Sequence, residues 1–334
     1  MTIKDVAKRA GVGIATVSRA LHGSPRVSPE TAARVKKAIE ELGYRPNTNA
    51  QSLASGRSHM LGLVVSDITN PFFPELVKGF EEVALEHGYD VFVASTNYEP
   101  ARTALCVRRM IERKVDGVAI MTSEIDPSLP DTLAKRKVPL VFLDVGQVAS
   151  GVSNVKVNYA HGVAQVVEHL LGLGHSRFAF ISGPLRLESV IERRDAFLDC
   201  LQAAHGGRRR ALMVEEGNHK VDGGFDAMER VLERAPATTA VIASNDLTAI
   251  GAMRAIRQRG LRVPEEISVA GFDDIQMAKY TEPPLTTVKL VRTEVARLAC
   301  EALLHSIRTR GMGVEYALDT SLVVRASTGR VRLR

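Results

Sequence analysis

The sequence predicts an α/β protein in which three short helices precede a larger body of two parallel β-sheets with helices on their faces. Three observations support this fold class. Two short helical segments separated by glycine open the chain, and the formal net charge is concentrated around them. From Met60 onward, short apolar runs alternate with helical stretches, which is typical of parallel sheets. With 334 residues, the chain is long enough for two or three folding units.

The charge distribution separates the amino-terminal segment from the rest of the chain. Residues 1–58 contain ten lysines and arginines and four acidic residues, which gives this segment a net charge of +6. The remaining 276 residues contain 34 residues of each sign. Such an asymmetry indicates a polyanion-binding module joined to a neutral body. A solvated basic face without a partner is the simpler alternative.

The first two helices are predicted from their ends. Thr2 and Asp5 predict a capping box that opens a helix over the segment IKDVAKRA, and Gly11 ends that helix. A second helix is expected from about Ile14 to Leu21. Gly13 replaces the usual hydroxyl residue at its N-cap, which weakens the start of the helix slightly.

A third helix is predicted within the segment VSPETAARVKKAIEELGY. Ser28 is suited to the N-cap, Pro29 to the first helical position, and Gly43 to the end of the helix. Two short helices joined by a glycine turn and braced by a third form a helix-turn-helix unit. In that geometry the second helix enters the DNA major groove by its first turn, and the positive charge favours this use.

The segments TIKDVAKRAGV, ATVSRAL and VSPETAARVKKAIEELGYRPN closely resemble the DNA-binding domain of the LacI/GalR family of bacterial transcription regulators. The resemblance continues through AQSLASGRSHMLGLVVSDITNPFF and, more loosely, to about residue 327. It implies a repressor that binds a near-palindromic operator as a homodimer. The residues expected to contact DNA are Thr2, Ile14, Ala15, Thr16, Ser18, Arg19, Asn47, Ala50 and Leu53.

The resemblance assigns different tasks to the residues of the second helix. Residues 14, 15 and 19 face base edges, and Thr16 and Ser18 help to hold phosphates. Arg19 can donate two hydrogen bonds to guanine, whereas Ile14 and Ala15 offer only apolar contact, for instance to a thymine methyl group. Many members of the family carry a polar pair at these two positions. We therefore expect the pair to determine which operator this protein prefers.

The resemblance divides the chain into a helix-turn-helix domain over residues 1–46, a hinge helix or linker over 47–58, and an effector-binding and dimerisation core over 59–334. In the hinge helix, Leu53 would be wedged into the minor groove at the centre of the operator, because the resulting bend is repaid by added contacts. A flexible tether is the alternative, since so short a helix is marginal alone in water.

The core is expected to have the architecture of periplasmic binding proteins, with parallel sheets flanked by helices. The resemblance implies an N-subdomain of about 59–157 and 288–319 and a C-subdomain of about 158–287 and 320–330. The predicted strands are LGLVVS, DVFVAS, DGVAIM, PLVFLD, RFAFIS, AVIAS and ISVAGF. The predicted helices include residues 72–87, 99–114, 159–173, 188–205, 222–235 and 246–259.

Ligands of open α/β sheets bind beyond the carboxyl ends of the strands. Aromatic side chains and a few aspartates, asparagines and arginines follow the predicted strands there, and this combination suits a polyhydroxylated ligand. The resemblance implies an effector in the cleft between the subdomains, a sugar or sugar derivative. A purine is disfavoured, because Leu187 replaces the arginine with which purine-responsive members contact the base. The expected effector-binding residues are Phe72, Phe73, Asp144, Arg193, His219, Asn245 and Asp273.

Two other protein classes could use the same cleft, namely an α/β enzyme and a solute-binding protein. The sequence contains no GxGxxG, P-loop or GxSxG motif, and His169 and His175 lack metal-ligand spacing. We therefore expect no catalysis, no cofactor and no metal. A solute-binding protein would need a signal peptide, whereas this chain begins with the charged segment MTIKDVAKRA.

The remaining expectations concern location and assembly. No apolar run is long enough to span a membrane, and three widely spaced cysteines suggest a reducing compartment, so we expect a cytoplasmic protein without a membrane partner. Residues 330–334 leave no room for the additional helix that makes some family members tetramers, which favours a homodimer.

Overall fold

The computed structural model describes residues 1–21, 24–44, 56–122, 125, 138–144, 147–204, 212–309 and 311–332. The chain forms two compact units, Met1–Ser58 and His59–Arg334. Among the described residues, no helix is both long and apolar enough to cross a membrane.

The described residues of the first unit form three helices around a small apolar core that includes Val6, Val17 and Val35. The Asp5 carboxylate accepts a hydrogen bond from the backbone N–H of Thr2 at 2.8 Å, as the capping box requires, and a second one from the Thr2 hydroxyl at 2.9 Å. The helices are α1 (Ile3–Ala10), α2 (Ile14–Leu21) and α3 (Pro29–Leu42).

The second unit contains two six-stranded sheets with helices packed against them. Its helices are α4 (Phe72–Glu86), α5 (Pro100–Glu112), α6 (Tyr159–Gly172), α7 (Glu188–Ala204), α8 (Val221–Arg234), α9 (Asp246–Gln258) and α10 (Arg292–Thr309). Its strands are β1 (Met60–Val65), β2 (Asp90–Ser95), β3 (Gly117–Met121), β4 (Leu140–Leu143), β5 (Val152–Asn158), β6 (Phe178–Ser182), β7 (Leu212–Glu216), β8 (Ala240–Ala243), β9 (Ser268–Asp273), β10 (Thr286–Lys289), β11 (Glu315–Asp319) and β12 (Ser321–Val323).

The first sheet has the strand order β11-β5-β4-β3-β1-β2, and all its neighbouring strands are parallel. The second sheet has the order β12-β10-β9-β8-β6-β7 and is parallel except for β12, which pairs antiparallel to β10. Every residue of β3, β4, β6 and β8 is buried, because helices cover both faces of a parallel sheet. The chain passes between the sheets after β5, after β10 and after β11.

The predicted helices of the core end within two residues of those observed, but the prediction missed five strands, β5, β7, β10, β11 and β12. Each of these strands contains polar residues. β5 has the sequence VSNVKVN, and β11 alternates exposed and half-buried residues at the edge of its sheet. Strands with polar residues are defined by their neighbours in the sheet, and periodicity along the chain does not reveal them.

Candidate effector site and DNA-binding surface

A pocket lies where the carboxyl ends of both sheets meet. It is bordered by residues that follow β1, β2, β3, β4 and β5 of the first sheet and β6, β7, β8, β9 and β10 of the second. The cavity has a volume of about 70 Å³. Its lining residues are Ser66, Asn70, Phe72, Phe73, Tyr98, Met121, Thr122, Leu143, Asp144, Tyr159, Leu187, Ser189, Arg193, His219, Asn245, Asp273 and Leu290.

All seven residues expected to bind the effector border this pocket. Phe72 and Phe73 start α4, and their rings meet edge to face with centroids 5.0 Å apart. Both side chains are also part of the hydrophobic core. The two side chains therefore pack in the core and also form part of the apolar wall of the pocket.

Arg193 on α7 is the buried cation of the pocket. Its guanidinium lies over the rings of Tyr159 and Phe272, at 4.4 and 4.6 Å from their centroids, and Nη1 donates to the carbonyl oxygen of Ser244 at 2.6 Å. Nε is buried and has no hydrogen-bond partner within the described part of the chain. An unsatisfied buried donor is costly, so a ligand that accepts from Arg193 would bind favourably.

Two carboxylates face the same space. Asp144, after β4, accepts hydrogen bonds from the Val157 backbone N–H at 2.8 Å and from the Tyr159 hydroxyl at 2.6 Å. Burial raises the pKa of Asp144 to about 6, although these hydrogen bonds oppose the shift. Burial likewise raises the pKa of Asp273 to about 6 against the attraction of Arg193 and Arg292. A φ of 111° places the Asp273 backbone in a region that only glycine adopts readily.

His219 and Asn245 form the remaining polar wall. The His219 ring is buried, with Nε2 2.9 Å from Ser244 Oγ, and burial together with Arg193 lowers its pKa to about 3. It is therefore an uncharged hydrogen-bonding group at neutral pH. Asn245 is the N-cap of α9, because its Oδ1 accepts from the Thr248 N–H at 2.9 Å while its Nδ2 donates to the His219 carbonyl at 3.1 Å.

The pocket thus combines one guanidinium, two carboxylates, a neutral imidazole and aromatic walls. This set can donate to and accept from several hydroxyl groups at once, while the rings pack against an apolar ligand face. Across the described ranges, no group of three or more histidine, cysteine or acidic side chains is arranged to hold a metal ion.

Sequence reasoning missed several lining residues, among them Tyr98, Tyr159 and Ser189. Tyr159 is the clearest omission, because it contacts both Arg193 and Asp144. It directly follows β5, so recognition of that strand would have placed Tyr159 at a carboxyl end beside the predicted residues.

The first unit presents the predicted base-contacting residues on one exposed surface of α2. Ile14, Ala15 and Arg19 are exposed, whereas Val17 is fully buried. The exposed fraction of Ile14 is 44%, which is high for an isoleucine. Thr16 and Ser18 are half-buried and Thr2 is exposed. Three predicted DNA contacts, Asn47, Ala50 and Leu53, lie outside the described residues.

Two family models match this chain. Residues 2–47 match "Bacterial regulatory proteins, lacI family", and residues 167–328 match a "Periplasmic binding protein-like domain". A probable HTH-type transcriptional repressor, ExuR of Bacillus subtilis, is 36% identical over 341 residues that cover 99% of each chain.

Solved structures agree with this assignment. A lac repressor dimer bound to operator and the anti-inducer ONPF superposes with a TM-score of 0.88 at 30% identity, covering 98% of this chain and 99% of that one. A complex of the transcriptional regulator CelR with cellobiose gives a TM-score of 0.73 at 33% identity with the same coverage. The chain belongs to the LacI family of bacterial regulatory proteins and is a DNA-binding transcriptional regulator.

Proposed function

We propose that this regulator is a repressor that binds a near-palindromic operator as a homodimer and is controlled by a sugar or sugar derivative in the pocket between the two sheets. The observation that supports it most is that the pocket joins polar side chains from the carboxyl ends of both sheets. A ligand held from both sides stabilises one arrangement of the two halves over others.

Two subdomains are proposed within the second unit, about 59–157 with 288–319 and about 158–287 with 320–330. The effector would bind between them without being transformed, in the cytoplasm where the operator is. The structural relatives support a carbohydrate, because one of them is a complex with cellobiose. The pocket residues support it as well, since Arg193 and Asp273 can share the adjacent hydroxyls of a polyol.

The DNA-binding surface is proposed to consist of the exposed side of α2, with Arg19 contacting guanine and the pair Ile14–Ala15 determining operator choice. Thr2, Thr16 and Ser18 would hold phosphates, and Asn47, Ala50 and Leu53 would act in the hinge. Exchanging the pair should change the selected operator while nonspecific DNA affinity stays the same. A uniform loss on all DNA would contradict the assignment of these reading residues.

The experiment that tests the whole proposal starts with operator selection from a random DNA library by the full-length protein. Fluorescence anisotropy on the selected DNA then measures affinity with and without cellobiose, ribose, glucose, glucose 6-phosphate and glucuronate. We expect a symmetric selected site and a change in affinity of about five- to 150-fold with the correct ligand. Operator binding that no sugar, sugar phosphate or sugar acid alters would overturn the proposed effector class.

A further inference from the structure

The backbone turn that carries Asp273 is held by two arginines from other parts of the chain. Asp273 and Asp274 both have positive φ, 111° and 54°, although neither residue is glycine. Such a turn persists only where surrounding groups determine it. Arg325 is one of them, since its Nη2 lies 2.5 Å from Asp274 Oδ1.

Arg292, the first residue of α10, is the other. Its Nη1 donates to the carbonyl oxygen of Asp273, and its Nη2 donates to that of Asp274 at 3.0 Å. The same guanidinium contacts Glu75, with Nε and Nη2 at 2.9 and 2.6 Å from Oε2. We name this arrangement of Arg292, Glu75 and the two carbonyl groups the Arg292 bridge.

The Arg292 bridge connects opposite walls of the pocket. Glu75 lies in the first turn of α4, two residues after Phe73, and α4 packs on the first sheet. Asp273 ends β9 of the second sheet. The two walls are therefore connected through one buried side chain, which is 8% exposed.

Helix packing places Arg292 at this position. α10 lies so close to α4 that a Cβ on Gly79 would be 3.2 Å from Ala296 Cβ and 3.3 Å from Thr293 Cα. The first turns of α10 are thus fixed beside the middle of α4, and the side chain of Arg292 reaches Glu75 and the turn of the other sheet from there.

We propose that Arg292 is a positioning residue of the effector site, which fixes the Asp273 turn and makes it move together with the start of α4. It does not border the cavity itself. The inference rests on the proposed function in one respect, namely that the pocket binds the effector. A bidentate guanidinium suits this task, because it donates to the carboxylate and to two carbonyl groups in fixed directions.

The decisive variant is Glu75→Ala, with Glu81→Ala as the matched control on the exposed side of α4. Loss of Glu75 leaves a buried cation without its carboxylate, which drives the guanidinium toward water and away from the two carbonyl groups. Hydrogen–deuterium exchange of the full-length protein without ligand reports the result. We expect exchange about tenfold faster at the amides of Asp274 and Ile275, in the other sheet, as well as at the start of α4.

Faster exchange confined to α4 would overturn the proposal, because it would show that the ion pair has only a local structural role. Arg292→Lys provides a second test, since a single ammonium nitrogen cannot replace the three guanidinium nitrogens that contact separate acceptors. The variant should reproduce the effect at Asp274 and Ile275. Ligand affinity for cellobiose and ribose is then measured by calorimetry. If either binds, Glu75→Ala should weaken it about tenfold and Glu81→Ala should not. If neither binds the parent protein and no other sugar, sugar phosphate or sugar acid of the panel alters operator binding, the proposed effector class fails, while the exchange data still decide the role of Arg292.

Discussion

His219 offers a quantitative test of the electrostatics of the pocket, through the change His219→Asn. Its folded-state pKa of about 3 lies below the ordinary value of 6.5, because burial penalises the imidazolium. Between those two pH values the unfolded chain binds a proton that the folded chain does not. Stability from the neutral ring is therefore complete above pH 6.5 and is lost as the pH falls toward 3.

The magnitude follows from the separation of the two pKa values. A pH of 5 lies about 1.5 units below the ordinary histidine pKa. Proton binding to His219 therefore stabilises the unfolded chain by about 2 kcal/mol at this pH, and the free energy of unfolding falls by the same amount. Asp144 and Asp273 act in the opposite direction. Their pKa values of about 6 exceed the ordinary 3.8, so the folded state gains about 1.4 kcal/mol from each at pH 5. The effect of His219 is thus masked in the parent protein and appears in the comparison with the variant.

Asparagine is the appropriate replacement, because His219 has a φ of 63° and asparagine tolerates the left-handed region. The assay is urea unfolding at pH 7.5 and pH 5.0, followed by tyrosine fluorescence. The sequence has no tryptophan, and five of its six tyrosines lie after residue 58. On going from pH 7.5 to pH 5.0, the two carboxyl groups should stabilise both proteins, and the parent should gain about 2 kcal/mol less than His219→Asn. Equal changes in the free energy of unfolding of the two proteins would show that the ring is protonated or hydrated in the folded state.

Four further changes test the packing of the helices, the charge of the pocket and the DNA-binding surface. Gly251→Ala would place a Cβ 2.0 Å from the backbone oxygen of Val221 on the neighbouring helix and should destabilise the protein by about 3 kcal/mol in thermal unfolding. At Gly172 a Cβ meets nothing within 4 Å, so Gly172→Ala should stabilise the protein by up to about 1 kcal/mol in the same assay. Asp144→Asn removes one of the two pocket carboxylates and should improve binding of glucuronate relative to glucose about tenfold in calorimetry; an unchanged ratio would show that this charge does not select the ligand. Arg19→Ala should weaken the selected operator by about 1–3 kcal/mol in anisotropy and relax the preference for one guanine, and a loss without relaxed preference would make Arg19 a phosphate contact.

The sequence could predict those site residues that follow recognisable strands. Asp144 and Asn245 come after uniformly apolar runs, so their position at a carboxyl edge follows from the alternation of strands and helices. Tyr159 follows β5, whose asparagine and lysine conceal the strand in the sequence. Asp144, Asn245 and Tyr159 all lie at the carboxyl ends of strands. Whether the sequence predicts such a residue therefore depends on how clearly the preceding strand can be recognised.

Contacts that depend on the assembled fold could not be predicted. Arg292 and Glu75 are 217 positions apart, and their ion pair exists only because α10 packs against α4 at Gly79. The left-handed turn at Asp273 and Asp274 gives no sequence signal either, since it contains no glycine. Local propensity at this turn contradicts the observed backbone, and long-range hydrogen bonds stabilise it instead, which is common at functional sites.

β1 connects the pocket to the amino-terminal unit along the shortest stretch of chain. It begins at Met60, two residues after that unit ends, and Ser66 immediately after it borders the pocket. Six residues of strand span about 20 Å, and β1 lies between β2 and β3, so it cannot extend independently. A ligand can change DNA affinity only through different affinities for two arrangements of the protein. A ligand that shifts β1 from its Ser66 end would therefore also shift the point at which the DNA-binding unit is attached.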